Sequence, residues 1–173
     1  MPINNDAADS EMLHQQARML PIEETTGDRQ ANEEFVDFTL GEKGYSLPAR
    51  FVREIRPLGS YTPLPALPPF VIGQVDVRGQ RLPVLDLRPL LDRAGALPCG
   101  GAVLLIVSAN GVKAGLLADA VMTVRRNDRI LAIETPADRH ATWVRGIDRE
   151  HMTWLDPPGL LAEIQQAIGD LLV

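Results

Sequence analysis

The 173-residue chain has one cysteine, three histidines and no apolar run near the length of a membrane span. Cys99 has no partner for an intrachain disulfide, which agrees with a reducing compartment. It sits in Leu97-Pro98-Cys99-Gly100-Gly101 without a nearby base, so it reads as a loop residue and not as a nucleophile. His14, His140 and His151 lie far apart, and no pair has the spacing of a metal site. Ser46 and Ser108 lack the Gly-x-Ser-x-Gly elbow that would anchor a hydrolase triad, and Gly100-Gly101 lacks the spacing and following Lys of a phosphate loop. No catalytic residue, cofactor site or metal site is therefore assigned. A membrane span needs about 18 consecutive apolar residues, and the opening Met-Pro-Ile-Asn-Asn-Asp shows no basic patch ahead of an apolar stretch, so the expected location is the cytoplasm.

A basic excess is also missing. The net charge of −6 is concentrated in residues 1–34, where Asp6, Asp9, Glu11, Glu23, Glu24, Asp28, Glu33 and Glu34 face only Arg18 and Arg29. A neutral body behind an acidic arm does not attract phosphate or anionic lipid, which argues against nucleic acid and against membrane insertion. What is present is a hydrophobic content of 45%, enough for a real core.

Residues 1–33 read as a partly disordered acidic extension. Within it, Ser10–Leu20 has a cap and apolar Met12, Leu13, Ala17 and Leu20 at helical spacing, and Pro21 ends that pattern ahead of a polar linker. From residue 34 the apolar period is close to two. Phe35–Leu40 and Tyr45–Leu47 predict a hairpin, and Ala49–Ile55 fits either a helical turn or a bent strand. Thr62–Pro69 is too rich in proline for a central strand. Gln74–Val77 and Leu82–Leu87 predict a second hairpin with Arg78-Gly79 at its bend, and Glu54 is a charge partner within reach of Arg78.

The second half repeats the first at an offset of about 70 residues: Leu104–Val107, Asn110-Gly111 and Ala114–Leu117 match the opening hairpin. Val121 and Val124 match Val52 and Ile55, and Leu155-Asp156 matches Leu85-Asp86. Asp86 and Asp156 stand before loops, where Asp commonly accepts from backbone donors. The expected fold is mainly β, two small five-stranded antiparallel barrels side by side, with halves at about 34–97 and 102–173. An amphipathic helix is expected over Gly159–Leu172, sealing an open barrel end.

These residues in this order resemble the CheW family of chemotaxis coupling proteins. The likeness runs through Phe38-Thr39-Leu40-Gly41 with Tyr45, Val52-Arg53-Glu54-Ile55, the proline-rich bend to Phe70, Gly73 through Arg78-Gly79, and Leu82–Arg88. It continues in Gly115–Asp119 with Val121 and Val124. The resemblance implies the double barrel and a non-enzymatic adaptor bridging the cytoplasmic tip of a methyl-accepting chemoreceptor to a CheA-type histidine kinase, at receptor arrays near the inner membrane. CheW-like ring partners follow from the same resemblance. Carried over by position, Val52, Glu54, Gly73 and Arg78 are receptor-binding residues, with Glu54 and Arg78 paired and Gly73 letting backbone approach closely. Kinase-binding residues are not assigned.

Two departures modify that expectation. Asp76 replaces the usual Asn and, two residues from Arg78, is expected to compete with Glu54 for it, so it joins the receptor-binding set. The last hairpin, Gly146–Asp156, is short and carries Arg149, Glu150 and His151 at its tip. Both leave room for an alternative, a scaffold or antagonist binding only kinase or only receptor in a motility or developmental pathway.

Overall fold

The computed structural model describes residues 33–91, 101–126 and 141–169. The acidic extension expected over residues 1–33, save Glu33, and Cys99 lie outside the described residues.

Among the described residues, ten strands and one α-helix follow in order. They are β1 Glu34–Leu40, β2 Lys43–Pro48, β3 Val52–Pro57, β4 Val71–Val77, β5 Gln80–Leu85, β6 Val103–Ala109, β7 Val112–Ala118, β8 Ala120–Arg126, β9 Val144–Ile147 and β10 Thr153–Leu155, then helix α1 Pro157–Ile168. The hairpin bends are where the sequence puts them. Gly41, Asn110, Gly111, Arg78 and Gly79 all take positive φ, and the two pairs Arg78-Gly79 and Asn110-Gly111 have the left-handed backbone at both central positions that matches strand twist. Residues 49–55 combine both expected forms: a single 3-10 turn at Ala49–Phe51 leads into β3.

Each sheet has five strands. Sheet one runs β8-β1-β2-β10-β9 and sheet two runs β3-β6-β7-β5-β4. The expected barrel halves at 34–97 and 102–173 therefore do not coincide with the sheets, because each sheet takes strands from both. The reason is the connections. β7 and β8 are separated by Asp119 alone, too few residues for a reversal, so β8 carries on into sheet one; the turn at Ala49–Phe51 sends β3 into sheet two in the same way. The repeat survives as an exchange: β3 and β8, β4 and β9, β5 and β10 hold matching places, and each sheet contains one parallel pair, β5 with β7 and β2 with β10.

The sheets are curled but their ladders do not close. Across the opening of sheet two, the chain that follows β3 is tied to β4 by one backbone bridge, in which Thr62 N donates to Gln74 O at 2.8 Å and Gln74 N to Thr62 O at 2.8 Å.

The main core lies between the sheets and includes Phe38, Tyr45 and Leu47 of sheet one, Leu105, Val107 and Leu116 of sheet two, and Leu160, Leu161 and Ile164 of α1. β6 is apolar almost throughout because it is covered on both faces: Leu105 and Val107 face this core, while Leu104 and Ile106 line the interior of sheet two with Val75, Val77, Leu82 and Val84. Helix α1 starts where Asp156 accepts from Gly159 N at 3.2 Å, with Pro157 and Pro158 in its first turn, and it packs on β6 and β7. Its buried side thus joins the inter-sheet core.

Candidate functional site

β3 alternates half-buried and exposed residues, as the outer strand of a curled sheet should: Val52, Glu54 and Arg56 turn inward, while Arg53, Ile55 and Pro57 turn out. Glu54 reaches across the opening of sheet two to the β4–β5 bend, where its Oε2 lies 3.2 Å from Arg78 Nη2; Arg56 Nη1 lies 3.8 Å from its other oxygen. The expected Glu54–Arg78 pair is therefore present.

Arg78 occupies the first central position of a bend that Asn or Gly usually fills, at φ 54°. A side chain in the left-handed region costs about 1–2 kcal/mol. In exchange the bend projects the guanidinium outward: the Arg78 side chain is 82% exposed although one nitrogen is held by Glu54. Asp76 does not compete for that guanidinium. Its Oδ1 accepts from Gly79 N at 2.8 Å, so it closes the bend instead, because Gly79 N is an otherwise open donor three residues away.

Gly73 is buried on β4 beneath the chain that follows β3. A Cβ there would stand 2.4 Å from Thr62 O and 2.8 Å from Tyr61 Cδ2, so the close backbone approach expected at this position exists and carries the Thr62–Gln74 bridge. Val52 packs on the inter-sheet core. The five residues thus divide: Glu54, Asp76 and Arg78 build one exposed charged tip, Gly73 holds the strap behind it, and Val52 anchors the start of β3.

Two features escaped the sequence reading. Four large apolar residues are exposed among the described ones, Ile55 on β3, Met122 and Val124 on β8, and Ile147 on β9. Strand period could have flagged Ile55, since it alternates with Glu54. The second feature is a polar interior in sheet one. Asp37 of β1 accepts from Ser46 Oγ at 2.6 Å and lies 2.6 Å from Arg125 Nε; Arg125 also lies 3.3 Å from Asp148 and 3.3 Å from Glu150. Asp148 further accepts from Trp154 Nε1, Met152 N and Glu150 N, each at 2.9 Å. Asp37 inside the apolar run Phe35-Val36-Asp37-Phe38 was the available signal.

Burial pushes the Asp37 carboxyl above its usual range, with Ser46 and Arg125 offsetting part of that effect. Burial acts the same way on Asp148, but its hydrogen bonds from Trp154, Met152, Arg125 and Glu150 win and hold it below the usual range. Asp86 does accept from backbone, from Arg88 N at 3.0 Å, and it also grips the Arg88 guanidinium, keeping it firmly charged. Among the described residues no group of acidic, His or Cys side chains is arranged to hold a metal ion, and no helix is long and apolar enough to cross a membrane.

This chain is similar to known proteins. Residues 34–165 match the model of the CheW-like domain. Protein FrzA of Myxococcus xanthus is 35% identical over 109 residues, 62% of this chain and 68% of that protein. Chemotaxis protein CheW of Rhizobium meliloti is 30% identical over 117 residues, covering 66% and 76%. The crystal structure of the scaffolding protein TtCheW from Thermoanaerobacter tengcongensis superposes with a TM-score of 0.63 at 30% identity, covering 72% of this chain and 88% of that one.

Proposed function

The chain belongs to the CheW-like domain family, and from that premise we infer that it works by contact and not by catalysis, as a coupling adaptor of chemotaxis signalling. Its partners on this reading are the cytoplasmic tip of a chemoreceptor and a CheA-type histidine kinase, met in the cytoplasm at receptor arrays. Further CheW-like domains are proposed as ring partners. The receptor surface is the tip of sheet two, with Glu54, Asp76 and Arg78 in contact, Gly73 keeping the strap in register and Val52 fixing β3.

The observation that carries this reading is Arg78 itself. A residue held in the left-handed region, exposed, and braced by one carboxylate while a second closes the bend behind it contributes little to stability and presents a pre-formed cation. Exposed Ile55, next to Glu54 in sequence and on the outward face of β3, offers an apolar side chain on the strand that braces Arg78. Coupling then requires contacts that differ between receptor states by about 1–3 kcal/mol.

Binding of the purified protein to a receptor cytoplasmic fragment and, separately, to the kinase regulatory domain tests this. The wild type should bind both, and Arg78→Glu should lose receptor binding at least tenfold (about 1.4 kcal/mol) while keeping the kinase. Binding to one partner alone would refute the adaptor role, and loss of both in the variant would refute the assigned surface.

A further inference from the structure

Met122 and Val124 are 60% and 53% exposed, two positions apart on β8, the outermost strand of sheet one. Met122 has a local cause for its exposure, while Val124 stays paired with Val36. The register between β1 and β8 shifts between Asp37 and Phe38, pairing Asp37 with Thr123 and Phe38 with Val121, so Met122 is left unpaired at a bulge. Exposed apolar side chains on an outer strand are what native sheets usually blunt with charge or cover.

The chain entering β1 arrives beside this strand. Glu34 stands opposite Arg126 in the ladder and its carboxylate lies 3.2 Å from Arg126 Nε, while Glu33 pairs with Arg50. Upstream, Asp6, Asp9, Glu11, Glu23, Glu24 and Asp28 face only Arg18 and Arg29, whereas β8 ends in Arg126, whose side chain stays 72% exposed beside Glu34. The same upstream segment carries Met12, Leu13, Ala17 and Leu20 at the spacing of one helix face.

We propose that the acidic segment ahead of β1 folds back over sheet one and lays the apolar side of residues 10–20 on Met122 and Val124. Reach is sufficient: the residues between Leu20 and Glu34 span up to about 45 Å when extended, against roughly 23 Å for the length of β8. Size favours this occupant over a second copy. A stable interface buries about 800 Å² on each partner, far more than two side chains expose, whereas a tethered segment acts at millimolar effective concentration and can hold a small patch. The acidic arm is then a built-in cover for the β8 face, held by apolar contact and by charge.

Disulfide trapping in the full-length chain tests this. In a Cys99→Ser background, Gln16→Cys is combined with Ala120→Cys, which leaves all the invoked apolar residues in place, and separately with Gln80→Cys on the other sheet. The Gln16–Ala120 pair should oxidise to a cross-linked monomer at least tenfold faster than the Gln16–Gln80 pair, and Leu13→Glu with Leu20→Glu should bring the two rates together. Equal rates without those changes, or a cross-link that yields mainly dimer, would overturn the proposal, the latter by assigning the face to a second copy.

Discussion

Sheets one and two are built on one strand order with matching strands exchanged, and in both the outer strands are joined across the opening by an arginine and carboxylates. The polarity is reversed. In sheet two the acid, Glu54, sits on β3 and the arginine at the β4–β5 bend; in sheet one Arg125 sits on the matching strand β8, and Asp148 and Glu150 lie at the β9–β10 bend. The surroundings differ more than the chemistry. Asp148 is 6% exposed and accepts from three further donors, whereas Arg78 stands in solvent. An exposed pair contributes about 0–1 kcal/mol, less than the left-handed backbone at Arg78 costs, while a buried pair that loses one partner leaves donors stranded. One joint therefore holds the fold, while the other, on the proposed reading, is kept for what it presents.

The largest expected effect comes from breaking the buried joint. Asp148→Ala removes the acceptor of Trp154 Nε1, Met152 N, Glu150 N and Arg125 Nη2 together, and should destabilise the protein by about 3–5 kcal/mol in urea unfolding. A loss under about 1 kcal/mol would mean that the two joints are alike after all.

Next comes the strap of sheet two. Gly73→Ala places a methyl group against Thr62 O, and overpacking of this kind costs about 1–3 kcal/mol. Hydrogen exchange at the Thr62 and Gln74 amides should accelerate along with the fall in stability, since those two amides make the bridge. Unchanged exchange would show that the strap shifts without opening.

The residues of the exposed joint were legible in the sequence and those of the buried joint were not. Arg78-Gly79 announces a bend, and Glu54 lies in a strand-like run that ends before the proline-rich stretch, so both turn chemistry and alternation point to the pair. Asp37, Arg125 and Asp148 sit in three separate segments, and only the exchange of β3 and β8 between sheets brings β1 and β8 together. Strand period reads which face a residue takes within its own strand and is silent on which sheet receives the strand, so the fold class was readable while the partition into halves was not. Asp76 went astray for a related reason: a shared strand face suggested an ion pair, and the backbone donor of Gly79 was nearer.

A smaller effect separates the two acids of the buried joint. Relative to the unfolded chain, folding shifts Asp37 toward its protonated form and Asp148 toward its ionised form. Asp37 therefore withdraws stability as pH rises from the ordinary carboxylate value through its own raised one, and Asp148 withdraws it as pH falls from that ordinary value through its lowered one. In urea titrations between pH 4 and 7, the advantage of wild type over Asp37→Asn should be greatest near pH 4 and shrink toward pH 7. An advantage that grows with pH would mean that the Arg125 pair outweighs burial at Asp37.

The smallest change in stability is expected where the change in binding is sharpest. Glu54→Arg combined with Arg78→Glu gives sheet two the polarity that sheet one already has, and leaves the bend, the strap and Asp76 in place. Since an exposed pair contributes about 0–1 kcal/mol, unfolding should stay within about 1 kcal/mol of wild type. If Arg78 serves as a presented cation, the exchanged pair closes the sheet but offers a carboxylate, and receptor binding stays at least tenfold weak (about 1.4 kcal/mol), as in Arg78→Glu alone. Recovery of binding in the exchanged pair would reverse the reading: sheet two would then need only a closed joint of either polarity, and both arginines would serve the same structural purpose in different solvent.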